Sequence, residues 1–419
     1  MNGPDGGSRL VLISGRDPIR TSGGSESYLM GHARAARLAG YHPHSFTITP
    51  RSEVLETDYG TLHRVFSPVR PPRSITSVLQ RPWLVRAVCD YLRPLRGPHL
   101  IHAYGAWADI ALAVSLRLKR DGVIAIPLAT VFMAIEHETA AKLGSVIVGE
   151  SLRWRLVHRI ELEWVRHVTT PVERRAFHRL PVVVVNYESV RRELDQRYGA
   201  GIPIRRLTYC PPTAFDDPPR PGELPEPLRG FGDGAAPLIV CVSRHDGRKG
   251  TDVLIEALVQ MRSAGVPFRA CLVGPGLLLA THRRWIRQLG LDDQVLVPGR
   301  VPEVTPYLQA SDVYVLPSRQ EGSGSVALLE ALQTGAAIVA SGIDGIPEDI
   351  TDGVDGVLIG PGDPVALAQA LAQLLDDPAR RERLGREARA TYERRFAAPV
   401  MARQLKDLYE ELGLPARQP

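Results

Sequence analysis

The second half of the chain contains, directly after an apolar run that ends at Leu316, the segment Pro317-Ser-Arg-Gln-Glu-Gly-Ser-Gly-Ser-Val-Ala-Leu-Leu-Glu-Ala-Leu-Gln-Thr-Gly335. The run 313–316 is short and apolar, as in a strand that is buried on both faces. A Gly/Ser loop follows, and then a helical pattern that stops at Gly335, a residue type that commonly ends a helix. The segment therefore predicts a strand, a glycine loop and a helix, which is the repeating unit of a parallel α/β sheet.

The same unit recurs along the whole chain. In the second half, apolar runs at 238–242, 269–273, 294–297, 313–316 and 337–340 alternate with helical patterns near 251–264, 279–289, 303–310, 326–334 and 364–376. The first half repeats the alternation with runs at 9–14, 100–103 and 182–186. This order predicts an α/β protein with two doubly wound, Rossmann-like domains. The domains should face each other across a cleft, onto which the strand ends of both open.

A proline-rich segment separates the two halves. Residues 211–227 contain seven prolines among Asp, Glu, Gly and Thr, and proline fixes its own φ and lacks the N–H donor, which disfavours regular elements. We expect an N-terminal domain over 1–212, a linker over 213–236 and a C-terminal domain over 237–395. A last helical pattern near 399–412 carries Leu405, Leu408 and Leu412 on one face. The tail 396–419 should therefore pack back on the N-terminal domain.

Composition limits the class of protein. The 419 residues are 44% hydrophobic and 23% charged, as in a globular protein and unlike a disordered or collagen-like chain. Four cysteines are too few for a disulfide framework, so we expect reduced thiols and a cytoplasmic protein. We expect no signal peptide, because the apolar run 10–13 is too short. The longest apolar stretch, 123–135, is interrupted by Pro127 and is too short to span a bilayer.

The net charge of +5 conceals an uneven distribution. Residues 1–210 carry 29 basic and 18 acidic side chains, whereas the remainder carries 22 and 28. The basic half would attract an anionic ligand or an anionic membrane surface. Within it, the segment 81–96 sets Trp83, Leu84 and Val88 against several arginines, which is typical of an interfacial helix or of a helix packed on a sheet. Nucleic acid is disfavoured as a partner, because aromatic residues make up only 6% and no recognition motif occurs.

Two polar loops could carry chemistry. The run 238–242 is followed by Ser-Arg244-His-Asp-Gly-Arg-Lys249, and an arginine with a lysine is the usual pair for clamping a diphosphate. The Gly/Ser loop before residue 326 could bind a phosphate through backbone N–H groups. The carboxylates of Glu321 and Glu330 could each accept hydrogen bonds from vicinal hydroxyls of a sugar or ribose. A solvated turn and a solvated helix residue are the alternatives for the charged loop and for Glu330.

These loops belong to an ordered series of motifs. The series comprises 241–250, Gly274-Pro-Gly276, Gly299-Arg-Val-Pro302, Ala310-Ser-Asp-Val-Tyr-Val-Leu-Pro-Ser318, 321–335 and Gly345-Ile-Pro-Glu348. In order and spacing it resembles a family 4 retaining glycosyltransferase of the GT-B fold over nearly all of 238–395. The N-terminal half resembles the family more weakly, through Gly23-Gly24 and Ile101-His102-Ala103-Tyr104.

The resemblance implies a role for each matching residue. Arg244 and Lys249 would bind the donor diphosphate, and Glu330 would bind the nucleotide ribose. The base would lie against Val301 and Pro302. The loop that grips the donor sugar and phosphate would consist of Glu321, Gly322, Ser323, Gly324, Ser325 and Val326, with Gly24 facing it. Enzymes of this family transfer the sugar with retention and without a metal, a phosphate oxygen of the leaving nucleotide taking the acceptor proton. No cofactor and no metal ligands are therefore expected.

Three features depart from the family pattern. Glu321 and Glu330 are separated by eight residues, where the family usually has seven. Phe132 or Met133 stands where the family often has a histidine, and Cys210-Pro-Pro replaces an Asn-Gly. His102 ends an apolar run and could orient an acceptor hydroxyl, which makes it a catalytic candidate beside Glu321. A core histidine with satisfied hydrogen bonds is the alternative for His102.

The sequence predicts an enzyme that moves a hexose-type sugar from a UDP- or GDP-linked donor to a hydroxyl acceptor that is anionic or lipid-linked. Cell-envelope glycan, glycolipid or secondary-metabolite biosynthesis would be its setting, with peripheral contact at the inner face of the membrane through the basic N-terminal domain. The alternative is a GT-B protein that binds a sugar nucleotide without transferring it, or an epimerase. A dinucleotide oxidoreductase is disfavoured, because Leu279 replaces the third glycine of the fingerprint that Gly274 and Gly276 begin.

Overall fold

The computed structural model describes residues 7–15, 17–19, 24–69, 76–144, 152–215, 224–231, 234 and 236–416. The chain divides into two compact units. The first is formed by the described residues of 7–143, 152–215 and 397–416, and the second mainly by those of 216–396. Each unit is an α/β domain built on one sheet, which confirms the predicted fold class.

The first unit contains, among the described residues, an eight-stranded sheet. Its strands are β1 (Leu10–Ile13), β2 (Pro43–Thr49), β3 (Glu53–Thr57), β4 (Gly60–Phe66), β5 (His99–Tyr104), β6 (Ala125–Val131), β7 (Val182–Val185) and β8 (Ile204–Arg206). They lie in the order β3-β4-β2-β1-β5-β6-β7-β8, and the pairings are parallel except that of β3 with β4. The central strands β1 and β5 are fully buried, as their continuous apolar runs predict.

Helices follow most of these strands. They are α1 (Gly24–Leu38), α2 (Thr76–Leu92), α3 (Ala108–Arg120), α4 (Ile135–Gly144), α5 (Leu152–Trp164), α6 (Thr170–Phe177) and α7 (Glu188–Tyr198). A π-helical turn, Val165–Thr169, joins α5 to α6. No helix of the described residues is both long enough and apolar enough to cross a bilayer.

Helix α2 buries the apolar face that suggested an interfacial helix. Leu84, Val88 and Leu92 are fully buried in one cluster with residues of β1, β5 and α3. Arg86 and Arg93 lie on the exposed side. Residues 81–92 are therefore part of a helix that packs on the sheet with its arginines in water, which is the second of the two interpretations of this segment and not the interfacial one.

The second unit contains, among the described residues, a six-stranded sheet in which the pairings are parallel. Its strands are β9 (Leu238–Val242), β10 (Arg269–Val273), β11 (Val295–Gly299), β12 (Val313–Leu316), β13 (Ala337–Ser341) and β14 (Val357–Ile359). They lie in the order β11-β10-β9-β12-β13-β14. From β9 the chain adds β10 and β11 on one side of the sheet, and from β12 it adds β13 and β14 on the other. The place between β9 and β12 is therefore the switch point of the sheet, and doubly wound sheets bind ligands there, at the carboxyl ends of the strands.

The helices of this unit pack around a large apolar core. They are α8 (Thr251–Ser263), α9 (Leu279–Gln288), α10 (Thr305–Gln309), α11 (Val326–Thr334), α12 (Ile346–Asp349), α13 (Pro364–Asp376) and α14 (Pro378–Arg395). The core combines alternate side chains of β9, β10, β12 and β13 with the inner faces of α8 and α13. The rigid sheet thus carries the polar loops that begin where β9 and β12 end.

The last helix, α15 (Ala398–Glu411), belongs to the first unit and packs against α1. Leu405 and Leu408 are fully buried, and Gln404 accepts a hydrogen bond from the backbone N–H of Thr208 at 2.9 Å. In the linker region, 3₁₀ turns form at Pro212–Phe215 and Glu226–Leu228, and residues 216–223 lie outside the described ranges. The four cysteines are buried free thiols.

Candidate functional site

The loops that follow β9 and β12 meet at the switch point of the second sheet. Lys249 Nζ lies 2.5 Å from Glu321 Oε2, and Ser318 Oγ donates to Glu321 Oε1 at 2.5 Å. The Glu321 side chain is only 2% exposed. A carboxylate that is shielded from water is costly unless it is hydrogen-bonded, so both partners stabilise it. The structure therefore brings together Lys249 and Glu321, which are 72 residues apart in the sequence.

Backbone contacts explain why these loops lie so close. Gly250 has a φ of 64°, and a Cβ at this position would lie 1.9 Å from the carbonyl oxygen of Pro317. The backbone N–H groups of Arg319 and Gln320 donate to the carbonyl oxygen of Arg248 at 2.7 and 3.2 Å. Only glycine permits this approach, because any side chain would separate the loops.

Positive charge is concentrated on the β9 loop. Arg244 is 58% exposed, and its Nε lies 3.7 Å from Asp246 Oδ2. Arg248, which the sequence analysis did not single out, lies 3.7 Å from the same oxygen. Asp246 is nearly buried and also accepts the backbone N–H of Arg248 at 3.1 Å. Asp246 thereby orients two guanidinium groups at the strand end, a fitting arrangement for an anionic ligand.

The Gly/Ser loop runs from β12 into α11. Gly322 takes a φ of 82°, and Ser325 is the N-cap of α11, its side chain accepting from the backbone N–H of Leu328 at 3.4 Å. Ser323, Gly324 and Ser325 therefore lead directly to the first residue of the helix, Val326. A glycine-rich loop that leads into the N-terminus of a helix binds phosphate in many proteins, through its free backbone N–H groups.

The remaining predicted residues of the second unit are Glu330 on α11 and two residues that follow β11. Glu330 is half-buried on α11. Burial raises the pKa of Tyr314 on β12 well above its usual value, and the charges of Glu321 and Glu330 add to this effect. Val301 and Pro302 follow β11, an edge strand, which lies two strands from β9.

In the first unit, Gly24 is the first residue of α1, and Gly23 lies outside the described residues. His102 is fully buried on β5. Its Nδ1 lies 2.9 Å from the hydroxyl oxygen of Tyr409, and its Nε2 lies 2.7 Å from Thr130 Oγ1. Both ring nitrogens are thus engaged inside the domain, which favours the alternative given above for His102, a core histidine that anchors α15 to the sheet.

Two further contacts near the β9 loop were not predicted. His245 Nδ1 lies 2.8 Å from His282 Nδ1 beneath the loop, and both rings are buried. Burial lowers the pKa of His245 to about 4, which keeps its ring neutral near pH 7. Asp252 and Arg319 form a two-pronged ion pair, with distances of 2.6 and 2.7 Å. Neither pair has a sequence signature, because each joins residues that are distant along the chain.

The chain is similar in sequence to known glycosyltransferases. Residues 232–391 match the family model for glycosyl transferases group 1. The chain is 28% identical over 389 residues to a GDP-mannose-dependent alpha-(1-6)-phosphatidylinositol monomannoside mannosyltransferase of Mycolicibacterium smegmatis, covering 90% of this chain and 91% of that protein. It is also 27% identical over 256 residues to an alpha-D-kanosaminyltransferase of Streptomyces kanamyceticus, covering 59% of this chain and 66% of that protein.

The fold is likewise that of known glycosyltransferases. The sucrose-phosphate synthase of Thermosynechococcus elongatus superposes with a TM-score of 0.72 over 97% of this chain and 99% of that chain, at 23% identity. The comparisons give no sign of a protein that binds a sugar nucleotide without transferring it. With the motifs, the fold and the relatives in agreement, the chain is identified as a nucleotide-sugar glycosyltransferase of the GT-B fold, and family 4 fits its mannosyltransferase relatives.

Proposed function

We propose that the enzyme transfers a hexose-type sugar to a hydroxyl acceptor with retention of the anomeric configuration and without a metal ion. The observation that carries the proposal is the pairing of Lys249 with Glu321 at the switch point, 2.5 Å apart. It joins a cationic loop suited to a diphosphate with a loop suited to a sugar. A donor that consists of a diphosphate bonded to a sugar would engage both loops at once.

Each predicted residue of the second unit has a part in this proposal. Arg244, Arg248 and Lys249 would bind the diphosphate, and the N-terminus of α11 with residues 322–326 would bind phosphate and sugar oxygens. Glu321, which already accepts from Lys249 and Ser318, would hold the sugar-binding loop in place. Glu330 would accept hydrogen bonds from the ribose, and Val301 and Pro302 would lie against the base. The loops after β9, β11 and β12 all begin at the carboxyl ends of parallel strands, where such sheets bind ligands.

The cationic loop also supports the proposed chemistry. When the bond between sugar and phosphate breaks, negative charge accumulates on the departing nucleotide diphosphate. Arg244, Arg248 and Lys249 lie on one loop where they would stabilise that charge, a task that metal ions perform in other transferases. The acceptor oxygen would bond to the anomeric carbon on the face that the phosphate leaves, and a phosphate oxygen of the leaving group would take the hydroxyl proton.

The relative from Mycolicibacterium smegmatis is GDP-mannose-dependent, so we propose GDP-mannose as the first donor to test, with UDP-linked hexoses next. A thermal-shift panel of GDP-mannose, UDP-glucose, ADP-glucose and dTDP-glucose identifies the donor, because a ligand of the native state raises the melting temperature by mass action. One nucleotide sugar should raise the melting temperature clearly. The increase should be smaller in Glu330→Gln than in the control Glu382→Gln, which changes an exposed side chain of α14. No shift with any member of the panel would remove the proposal.

We also propose an anionic, lipid-linked acceptor and peripheral membrane contact. The named relative acts on a phosphatidylinositol monomannoside, and residues 1–210 carry the excess of arginine. Exposed apolar side chains lie on α5, where Leu156 and Ile160 are 60% and 59% exposed beside the exposed Arg159. Apolar side chains next to arginine complement a bilayer that contains anionic lipid.

Vesicle co-sedimentation tests the membrane contact. The wild type should bind vesicles of phosphatidylcholine with phosphatidylglycerol more strongly than phosphatidylcholine alone, and Leu156→Ser with Ile160→Ser should reduce this binding severalfold. The matched control, Leu116→Ser, changes an exposed leucine on α3. Equal binding by the control and the α5 double variant would exclude α5 as the contact.

A further inference from the structure

Asp344 has an unusual backbone conformation. Among the described residues it is the only one other than glycine with a positive φ, at 49°. This left-handed conformation costs about 1 kcal/mol for a residue with a side chain, although Asp and Asn tolerate it better than most. The residue lies in the turn between β13 and α12. A strained residue next to a proposed binding loop suggests that its side chain has a task there.

The carboxylate of Asp344 holds the start of the Gly/Ser loop. Its Oδ2 accepts the backbone N–H of Glu321 at 2.6 Å and that of Gly322 at 2.7 Å. The next residue, Gly345, donates its backbone N–H to the carbonyl oxygen of Ser323 at 2.9 Å. The turn after β13 is therefore tied to three successive residues of the loop. Hydrogen bonds that an ionised carboxylate accepts from N–H groups are among the stronger kind.

These contacts fix Glu321 from two sides. Its backbone is held by Asp344, and its carboxylate is held by Lys249 and Ser318. The loop before α11 also contains two glycines, Gly322 and Gly324, and glycine loses more conformational freedom on ordering than any other residue. The anchor at Asp344 removes that freedom at the first two residues, from which the rest of the loop continues to the N-cap Ser325.

We infer that Asp344 is the positioning residue of the Gly/Ser loop, and that it sets how tightly the site binds the sugar part of the donor. The inference rests on the proposed function, in which this loop grips the sugar. Two of the side chains proposed for the diphosphate, Arg244 and Arg248, are oriented by a different carboxylate, that of Asp246. Loss of the Asp344 carboxylate should therefore weaken the contribution of the sugar more than that of the nucleoside diphosphate.

The test compares two ligands in four proteins. Isothermal titration measures the Kd of the nucleotide sugar found in the panel and that of its nucleoside diphosphate, for the wild type, Asp344→Gly, Asp344→Asn and Asp363→Gly. Asp363 is the matched control, because it also accepts two backbone N–H groups, those of Val365 and Ala366 at 3.0 and 2.9 Å, but at the start of α13. Asp344→Gly relieves the φ strain, so a loss in that variant reflects the missing carboxylate.

For Asp344→Gly we expect the Kd of the nucleotide sugar, divided by that of the nucleoside diphosphate, to rise by about tenfold. This is the effect of losing one or two charged hydrogen bonds. Asp344→Asn should recover most of the ratio, because an amide oxygen accepts the same N–H groups and Asn tolerates the conformation. An unchanged ratio in Asp344→Gly, or an equal loss for both ligands, would overturn the inference while leaving the proposed function intact. A wild type that binds neither ligand would overturn both.

Discussion

At Gly250 two loops approach so closely that a side chain has no room. A Cβ would lie 1.9 Å from the carbonyl oxygen of Pro317, and φ is 64°. Gly265 has a φ of 72° but nothing within 4 Å of its Cβ position. We expect Gly265→Ala to lower the free energy of unfolding by about 1 kcal/mol through backbone strain alone. Gly250→Ala should lower it by about 3 kcal/mol, because the clash adds to the strain.

Urea unfolding of the two alanine variants measures the difference. Gly250→Ala should also weaken donor binding, since it moves Lys249 away from Glu321, whereas Gly265→Ala should not. Equal unfolding energies for the two variants would show that the close approach of the loops is not under steric control.

The pair Lys249 and Glu321 should be strongly coupled. Glu321 is nearly buried, so Lys249→Met leaves a carboxylate without its cation and should lower the free energy of unfolding by about 3 kcal/mol. In the double variant with Glu321→Gln the buried charge is gone, and the loss should be smaller than in Lys249→Met alone. Urea unfolding of the single and double variants gives the coupling energy. Additive losses would contradict a direct pair.

At this scale the sequence predicts only part of the site. Arg244, Lys249 and Glu321 could be found because they follow buried strands within a recognisable series of motifs. Asp344 could not, since its role depends on a hydrogen bond to a loop 22 residues earlier in the chain. For His102 the sequence left two interpretations open, because a strand pattern does not reveal that Tyr409 and Thr130 engage its ring.

Among the elements, α15 should be important for the stability of the first unit. Leu405 is fully buried in that unit, whereas Leu412 is only half-buried. Leu405→Ala should lower the free energy of unfolding by about 3 kcal/mol, and Leu412→Ala by about 1 kcal/mol or less. The measurement is urea unfolding of both variants. Similar small losses would show that α15 contributes little to the first unit.

Elements were predictable where the apolar pattern was strong. The helix 326–334 and the strands 238–242 and 313–316 coincide with α11, β9 and β12. Helix α14 was missed because it is rich in arginine and glutamate, with few apolar residues to give a period. Strand β3 is largely exposed and polar, so it too lacks a signal. The arginines of α2 suggested an interface, but the apolar residues between them are used by the domain core.

For the whole molecule, buried histidines make stability depend on pH. Burial lowers the pKa of His32 to about 3, against about 6.5 in the unfolded chain. Between these values the unfolded state binds one more proton, so stability falls as the pH falls below 6.5, by about 1.4 kcal/mol per pH unit. Glu173 has the opposite effect on stability. Burial raises its pKa to about 8, so below that pH the folded state keeps a proton that the unfolded chain has released, and stability rises as the pH falls.

Two variants separate these contributions. His32→Gln should lose less stability than the wild type between pH 6 and pH 4.5, with a slope smaller by about 1.4 kcal/mol per pH unit. Glu173→Gln should lose more stability than the wild type as the pH falls from 7 to 5, because the opposing proton is absent. Urea unfolding at several pH values measures both slopes. Parallel curves for the wild type and both variants would show that neither group titrates on unfolding.

The central claim is that the carboxyl edge of the second sheet binds the diphosphate of a nucleotide sugar. Arg244 tests it well, because its side chain is 58% exposed and its removal should not affect folding. Isothermal titration of the donor into Arg244→Gln, the wild type and the control Arg386→Gln on exposed α14 gives the answer. We predict that binding weakens by about tenfold or more in Arg244→Gln and is unchanged in Arg386→Gln. Equal affinity in all three proteins would contradict the account.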